Sequence, residues 1–174
     1  MRRFKENNDI RPAVWATSYG LYNEGELYGK WFFFDNYSSY EDMVDAIVEY
    51  LEPEDSDPEI MIADTEYIPR GIYQESGLSE EMFDFAKFIE DRDEDTYEAV
   101  EAYLEYYDWD EDKFTERYVG KFSSHQDLGY YIVENGYFGI EIPEQLENYI
   151  DYEAIGRDYA IDGVYTSDGF FFWY

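Results

Sequence analysis

Forty-three aspartates and glutamates against 12 lysines and arginines give this 174-residue chain a formal charge of -31 at pH 7. Charge of that size strains any compact state through self-repulsion, far beyond what solubility requires. Whatever fold forms must bury enough apolar surface to offset it. The chain carries 21 Tyr, 13 Phe and 4 Trp, and rings are the side chains that bury most area. Disordered acidic chains are poor in aromatics, so a folded chain of one or two ordinary domains is expected.

The sign of the charge excludes several roles. Direct binding of nucleic acid uses Lys and Arg to displace phosphate counterions, and an anionic membrane surface repels an acidic chain for the same reason. No apolar run approaches the roughly 20 residues of a spanning helix. With no cysteine there is no disulfide framework and no thiolate metal site or nucleophile. Residues 1–9 are charged and lack the apolar stretch of a signal peptide. A cytoplasmic protein is expected.

Along the chain, residues 14–19 and 27–34 read as two strands joined through Gly20, Asn23 and Gly25, a hairpin. Ser38 followed by Glu41 gives a capping-box pattern opening a helix with Val44, Ile47, Val48 and Leu51 on one face, ended by Pro53. Residues 60–63 read as a third strand. Helical stripes follow, Met82, Phe85, Ala86 and Ile89, then Tyr97, Val100, Leu104 and Tyr107, whose plain reading is core. Residues 114–122 suit a strand. Ser124 with Asp127 caps a helix that stops at Gly136, short helical turns run to Asp158, and residues 163–174 read as a hairpin turned at Asp168-Gly169. The expected fold class is α+β, an elongated chain of three small modules (13–67, 68–110 and 111–174) behind a basic extension over 1–12.

Placement of the acids is the informative feature. Residues 31–69 hold twelve acidic residues and no Lys or Arg, so local salt bridges cannot neutralise them. Glu41, Asp45, Glu49 and Glu52 recur at helical steps away from the apolar stripe, and Glu94, Glu98, Glu101, Glu105 and Asp108 repeat the device. Like charges at this spacing cost a few tenths of a kcal/mol each, so both ridges oppose stability. Carboxylates one turn apart stand roughly 6 Å apart along a helix axis, of the order of the phosphate spacing on a DNA strand. At one charge per about 1.7 Å of duplex, the net charge corresponds to roughly 53 Å, or about 15 base pairs. A plain solvated face, or the solvating surface of a halophilic protein, is the competing reading of the same acids.

Familiar catalytic motifs are missing. There is no Gly-x-Gly-x-x-Gly, Walker loop or Gly-x-Ser-x-Gly elbow. His125, the one histidine, has no metal-type spacing and reads as a surface residue beside a helix cap. Asp91, Asp93 and Asp95 begin like a calcium loop but continue with Thr96 and Ala102 where Gly and Glu are needed; Asp108, Asp110 and Asp112 fail likewise, at Lys113 and Val119. Among so many carboxylates some pair will lie at a hydrolase-like separation, yet nothing marks one out. No catalytic residue, metal site or cofactor is assigned.

Two segments carry a family resemblance. One is Tyr22-Asn23-Glu24-Gly25-Glu26-Leu27, continuing through Gly29 to Trp31. The other runs from Ile142-Pro143-Glu144 through Asn148-Tyr149-Ile150-Asp151-Tyr152 to Gly156-Arg157-Asp158. Together they resemble the ArdA antirestriction proteins of conjugative plasmids, transposons and phages, over residues 14–174. The resemblance implies an elongated homodimer of three units per chain that imitates bent duplex DNA and targets a type I restriction-modification enzyme. Its carry-over is strongest for Glu24, Glu26, Glu144, Asp151, Arg157 and Asp158. The basic start (Arg2, Arg3, Lys5 and Arg11) departs from the pattern. The expectation is therefore a non-catalytic acidic DNA mimic that occupies the enzyme's DNA-binding groove. The alternative is an acidic module for another basic nucleic-acid-binding protein, with an enzyme in third place.

Overall fold

The computed structural model describes residues 10–174, in two compact units divided between Glu101 and Ala102. The expected basic extension over 1–12 lies outside the described residues as far as residue 9. Helices and two small antiparallel sheets make the fold α+β.

In the first unit, strand β1 (Ala13–Ser18) is central, flanked by β2 (Lys30–Phe33) and β3 (Ile60–Glu66) in the order β2-β1-β3, both antiparallel to it. A central strand has no free edge, and β1 is buried almost throughout. Trp15 stands opposite Trp31 in β2, and a bulge between Trp15 and Ala16 shifts the register toward β3. β1 and β2 pair as the hairpin expected, but their connection holds a short helix, α1 (Tyr19–Asn23), whose N-cap Ser18 accepts from the Leu21 amide. Helix α2 (Tyr40–Leu51) packs against β1 with Met43, Ile47 and Leu51 fully buried. Met43 takes the deep position expected for Val44, which is only half-buried. The cap is also one residue later than expected: Ser39 accepts from the Asp42 amide, while the Ser38 hydroxyl donates to the Asp42 carboxylate at 2.7 Å. Helix α3 (Glu80–Ile89) buries Met82, Phe85, Ala86 and Ile89, the stripe expected, and Phe83 reaches Phe34 at 5.9 Å between ring centres. Helix α4 (Glu94–Leu104) buries Ala99 and Val100 in this unit, and Tyr97 meets Tyr67 edge-on.

In the second unit, residues 114–117 are not strand. Asp110 accepts from the Lys113 amide and starts helix α5 (Glu111–Arg117), so the strand expected over 114–122 is reduced to β4 (Tyr118–Lys121). With β5 (Gly163–Tyr165) and β6 (Phe170–Trp173) it forms a sheet in the order β4-β6-β5. β5 and β6 make the expected hairpin, with Gly169 at φ 87°, a backbone region that glycine enters without steric cost. Phe171 and Phe172 are fully buried, and Phe172 lies against Tyr103, Phe114 and Tyr118. Ser124 caps helix α6 (His125–Glu134) through the Asp127 amide. Helix α7 (Tyr152–Tyr159) packs on α6 so closely that a Cβ on Gly129 would stand 1.9 Å from the Tyr152 carbonyl oxygen. A Cβ on Gly156 would stand 1.7 Å from that of His125. Among the described residues, no helix is long and apolar enough to cross a membrane.

Candidate protein-binding surface

All fourteen carboxylates singled out in the sequence are solvent-exposed: Glu24, Glu26, Glu41, Asp45, Glu49, Glu52, Glu94, Glu98, Glu101, Glu105, Asp108, Glu144, Asp151 and Asp158. They are distributed over both units.

On α2 the first ridge forms as expected. Glu41, Asp45 and Glu49 face solvent while Met43, Ile47 and Leu51 face the core, and Glu52 continues the row as the C-cap. The last turn of α2 contains no basic residue, so Glu49 and Glu52 sit against the negative end of the helix dipole, a placement that costs stability.

The second ridge is shorter than expected. Glu94, Glu98 and Glu101 share α4, but that helix ends at Leu104, so Glu105 and Asp108 lie beyond it. Residues 105–109 connect it to α5, which begins at the Asp110 cap. The last turn of α4 again lacks a base. Glu101 also accepts from the Tyr97 hydroxyl at 3.2 Å. Burial first, and then this carboxylate, push the Tyr97 phenol well above its ordinary value.

The carboxylates of the two resembling segments have local duties too. Glu24 is the C-cap of α1, its amide donating to the Gly20 carbonyl at 3.2 Å while the Gly25 amide donates to that of Tyr22. Asp151 caps α7 by accepting from the Ala154 amide at 3.0 Å. Glu144 opens a 3-10 turn, Glu144–Tyr149, and Asp158 stands in the last turn of α7. Sequence reasoning passed over further exposed acids of the first unit, Glu54, Asp57 and Glu59 before β3 and Asp64 and Glu66 within it. No period marks them: β3 has Met61 and Ile62 buried side by side and Ala63 and Asp64 exposed side by side, because the bulge between Trp15 and Ala16 shifts the register there.

Several cations lie on aromatic faces. Arg11 stands 4.0 Å over Phe33, Lys30 lies over Phe32 and Tyr50, Arg92 stands 3.8 Å over Phe88, and Arg117 lies 4.4 Å over Tyr107. Arg11 also forms a two-bond ion pair with Asp35. Lys87 donates to the Phe34 carbonyl and to Glu90, and Lys113 pairs with Asp110. These partners, Asp35, Glu90 and Asp110, are not among the fourteen. Among the described residues, no three His, Cys, Asp or Glu side chains converge on a point able to hold a metal ion.

A sequence model of one family, antirestriction protein (ArdA), matches residues 14–172. The chain belongs to the ArdA family. Both resembling segments fall inside the matched region, which takes in nearly the whole chain. The role of an ArdA chain is antirestriction, and its partner is accordingly a protein of the restriction apparatus. A comparison with curated proteins gives no match.

Proposed function

We propose that this ArdA chain is an acidic DNA mimic that binds the DNA-binding groove of a type I restriction-modification enzyme and inhibits it. The observation that carries the proposal is the exposed ridge on α2, where Glu41, Asp45, Glu49 and Glu52 recur roughly once per turn without a base in the last turn. An arrangement that opposes helix stability is accounted for by what it binds. A basic groove shaped for duplex DNA meets rows of carboxylates at near-phosphate spacing, and the gain is electrostatic. The reading includes an elongated homodimer of three modules per chain, carriage on a mobile genetic element, action in the cytoplasm, and neither catalysis, cofactor nor direct binding of nucleic acid. All fourteen carboxylates act as phosphate surrogates in it, Asp151 in addition to its capping duty.

The test is DNA cleavage and methylation by a purified type I enzyme mixed with the protein across a salt series. Inhibition that added duplex DNA relieves and rising salt weakens supports the mimic. A folded protein that leaves the enzyme uninhibited rejects it, in favour of an acidic module for a different basic nucleic-acid-binding protein.

A further inference from the structure

The second unit holds an open concavity of about 760 Å³ whose lining contrasts with the rest of the surface. Tyr106, Tyr107, Tyr165 and Tyr174 line it together with His125 and Arg157, and apolar residues that follow α7 and begin β5 complete it. None of the lining residues is Asp or Glu, although about one residue in four of the chain is acidic. The Arg157 guanidinium is only loosely held: its ion pair to Glu153 is 3.9 Å long and both side chains are more than half exposed. His125 lies 4.9 Å from the Tyr165 ring. The Tyr107 hydroxyl is shielded from solvent and has no hydrogen-bond partner among the described residues, an uncommon state for a buried polar atom. Apolar surface around the concavity is also left exposed, at Ile161 and Tyr174.

We propose that this concavity is a binding site for a planar aromatic anion, a ring that carries a phosphate or a carboxylate. Tyrosine faces accept a stacked ring, and Arg157 with His125 receives the anionic group through charge-assisted hydrogen bonds. The Glu153 carboxylate, 3.9 Å from the Arg157 guanidinium, is the nearest opposing charge and must give way to the anionic group, whereas exposed charges beyond about 8 Å are largely screened at physiological ionic strength. The acidic surface proposed to meet the restriction enzyme takes no part in this site.

His125 is the only histidine in the chain, so its imidazole C–H signals in an NMR spectrum report this one place. The 174-residue chain is titrated with adenosine monophosphate and, separately, with benzoate. A saturable shift of those signals with a dissociation constant of about 1 mM or tighter for at least one probe is expected. A response to the nucleotide alone assigns a phosphate-bearing ligand, and to benzoate alone an aryl carboxylate. Adenosine and inorganic phosphate, each with half of the chemistry, should give no saturable shift over the same range. Arg157→Gln should weaken binding about tenfold or more, as should loss of the exposed ring in Tyr106→Ala, with the remaining spectrum unchanged. Silence with both probes, an equal response to phosphate or adenosine, or undiminished affinity in both variants would overturn the proposal.

Discussion

Asp93 and Asp110 show how single carboxylates here serve the fold. Thr96 donates both its hydroxyl and its amide to Asp93, and Lys113 its amide and its ammonium to Asp110. These bonds favour the charged form and hold both carboxyls below the ordinary value of 3.8. A depressed folded-state pKa means that the stabilisation is fully present above the unfolded value and is lost as pH falls through the folded one. Acid below 3.8 should therefore erode wild-type stability more steeply than that of an Asp93→Ala, Asp110→Ala variant, read as urea midpoints along a pH series. Parallel curves would count against the capping role. Ser124→Ala, which removes the cap of α6, should cost about 1 kcal/mol in the same measurement. Gly129→Ala has no room at all, because its new methyl would meet the Tyr152 carbonyl. Prising α6 from α7 should cost at least the roughly 1–3 kcal/mol of an overpacked core.

At the scale of an element, α2 separates stability from binding. Replacing Glu49 and Glu52 with Gln removes like-charge repulsion and an unfavourable dipole contact, so stability should rise by a few tenths of a kcal/mol per residue, read as a higher melting midpoint. Inhibition of the restriction enzyme should weaken in the same variant, and a gain in both quantities would argue against the ridge as a binding element. Helix faces were legible in the sequence because a 3.6-residue period survives any context: the stripe Met82, Phe85, Ala86 and Ile89 is buried as read. Boundaries were less so. Ser38 and Ser39 are equally good caps by composition, and only the backbone decides that Ser39 receives the Asp42 amide. Residues 114–117 are aromatic and β-branched enough to suggest a strand, yet the Asp110 cap makes them helical. Exposure of the candidate carboxylates was legible, since a charged side chain opposite an apolar stripe has nowhere else to go. The His125–Arg157 concavity was not, because its residues come from distant parts of the chain and share no spacing.

For the molecule as a whole, the charge of -31 sets two responses to salt in opposition. Screening relieves self-repulsion, so thermal stability should rise with ionic strength, while the affinity for a basic groove should fall over the same range. Calorimetry and inhibition assays on one salt series would read both, and curves that rise or fall together would be inconsistent with an electrostatic mimic. The cations seated on rings add a consequence of another kind. A lysine or arginine left free on such a surface would sweep through many rotamers and fold over neighbouring acids, blurring the pattern from moment to moment. Arg11 over Phe33, Lys30 over Phe32 and Tyr50, Arg92 over Phe88 and Arg117 over Tyr107 are instead anchored at definite points. The surface thus presents a partner with a stencil of charge already set, and docking forfeits little side-chain freedom to fix it.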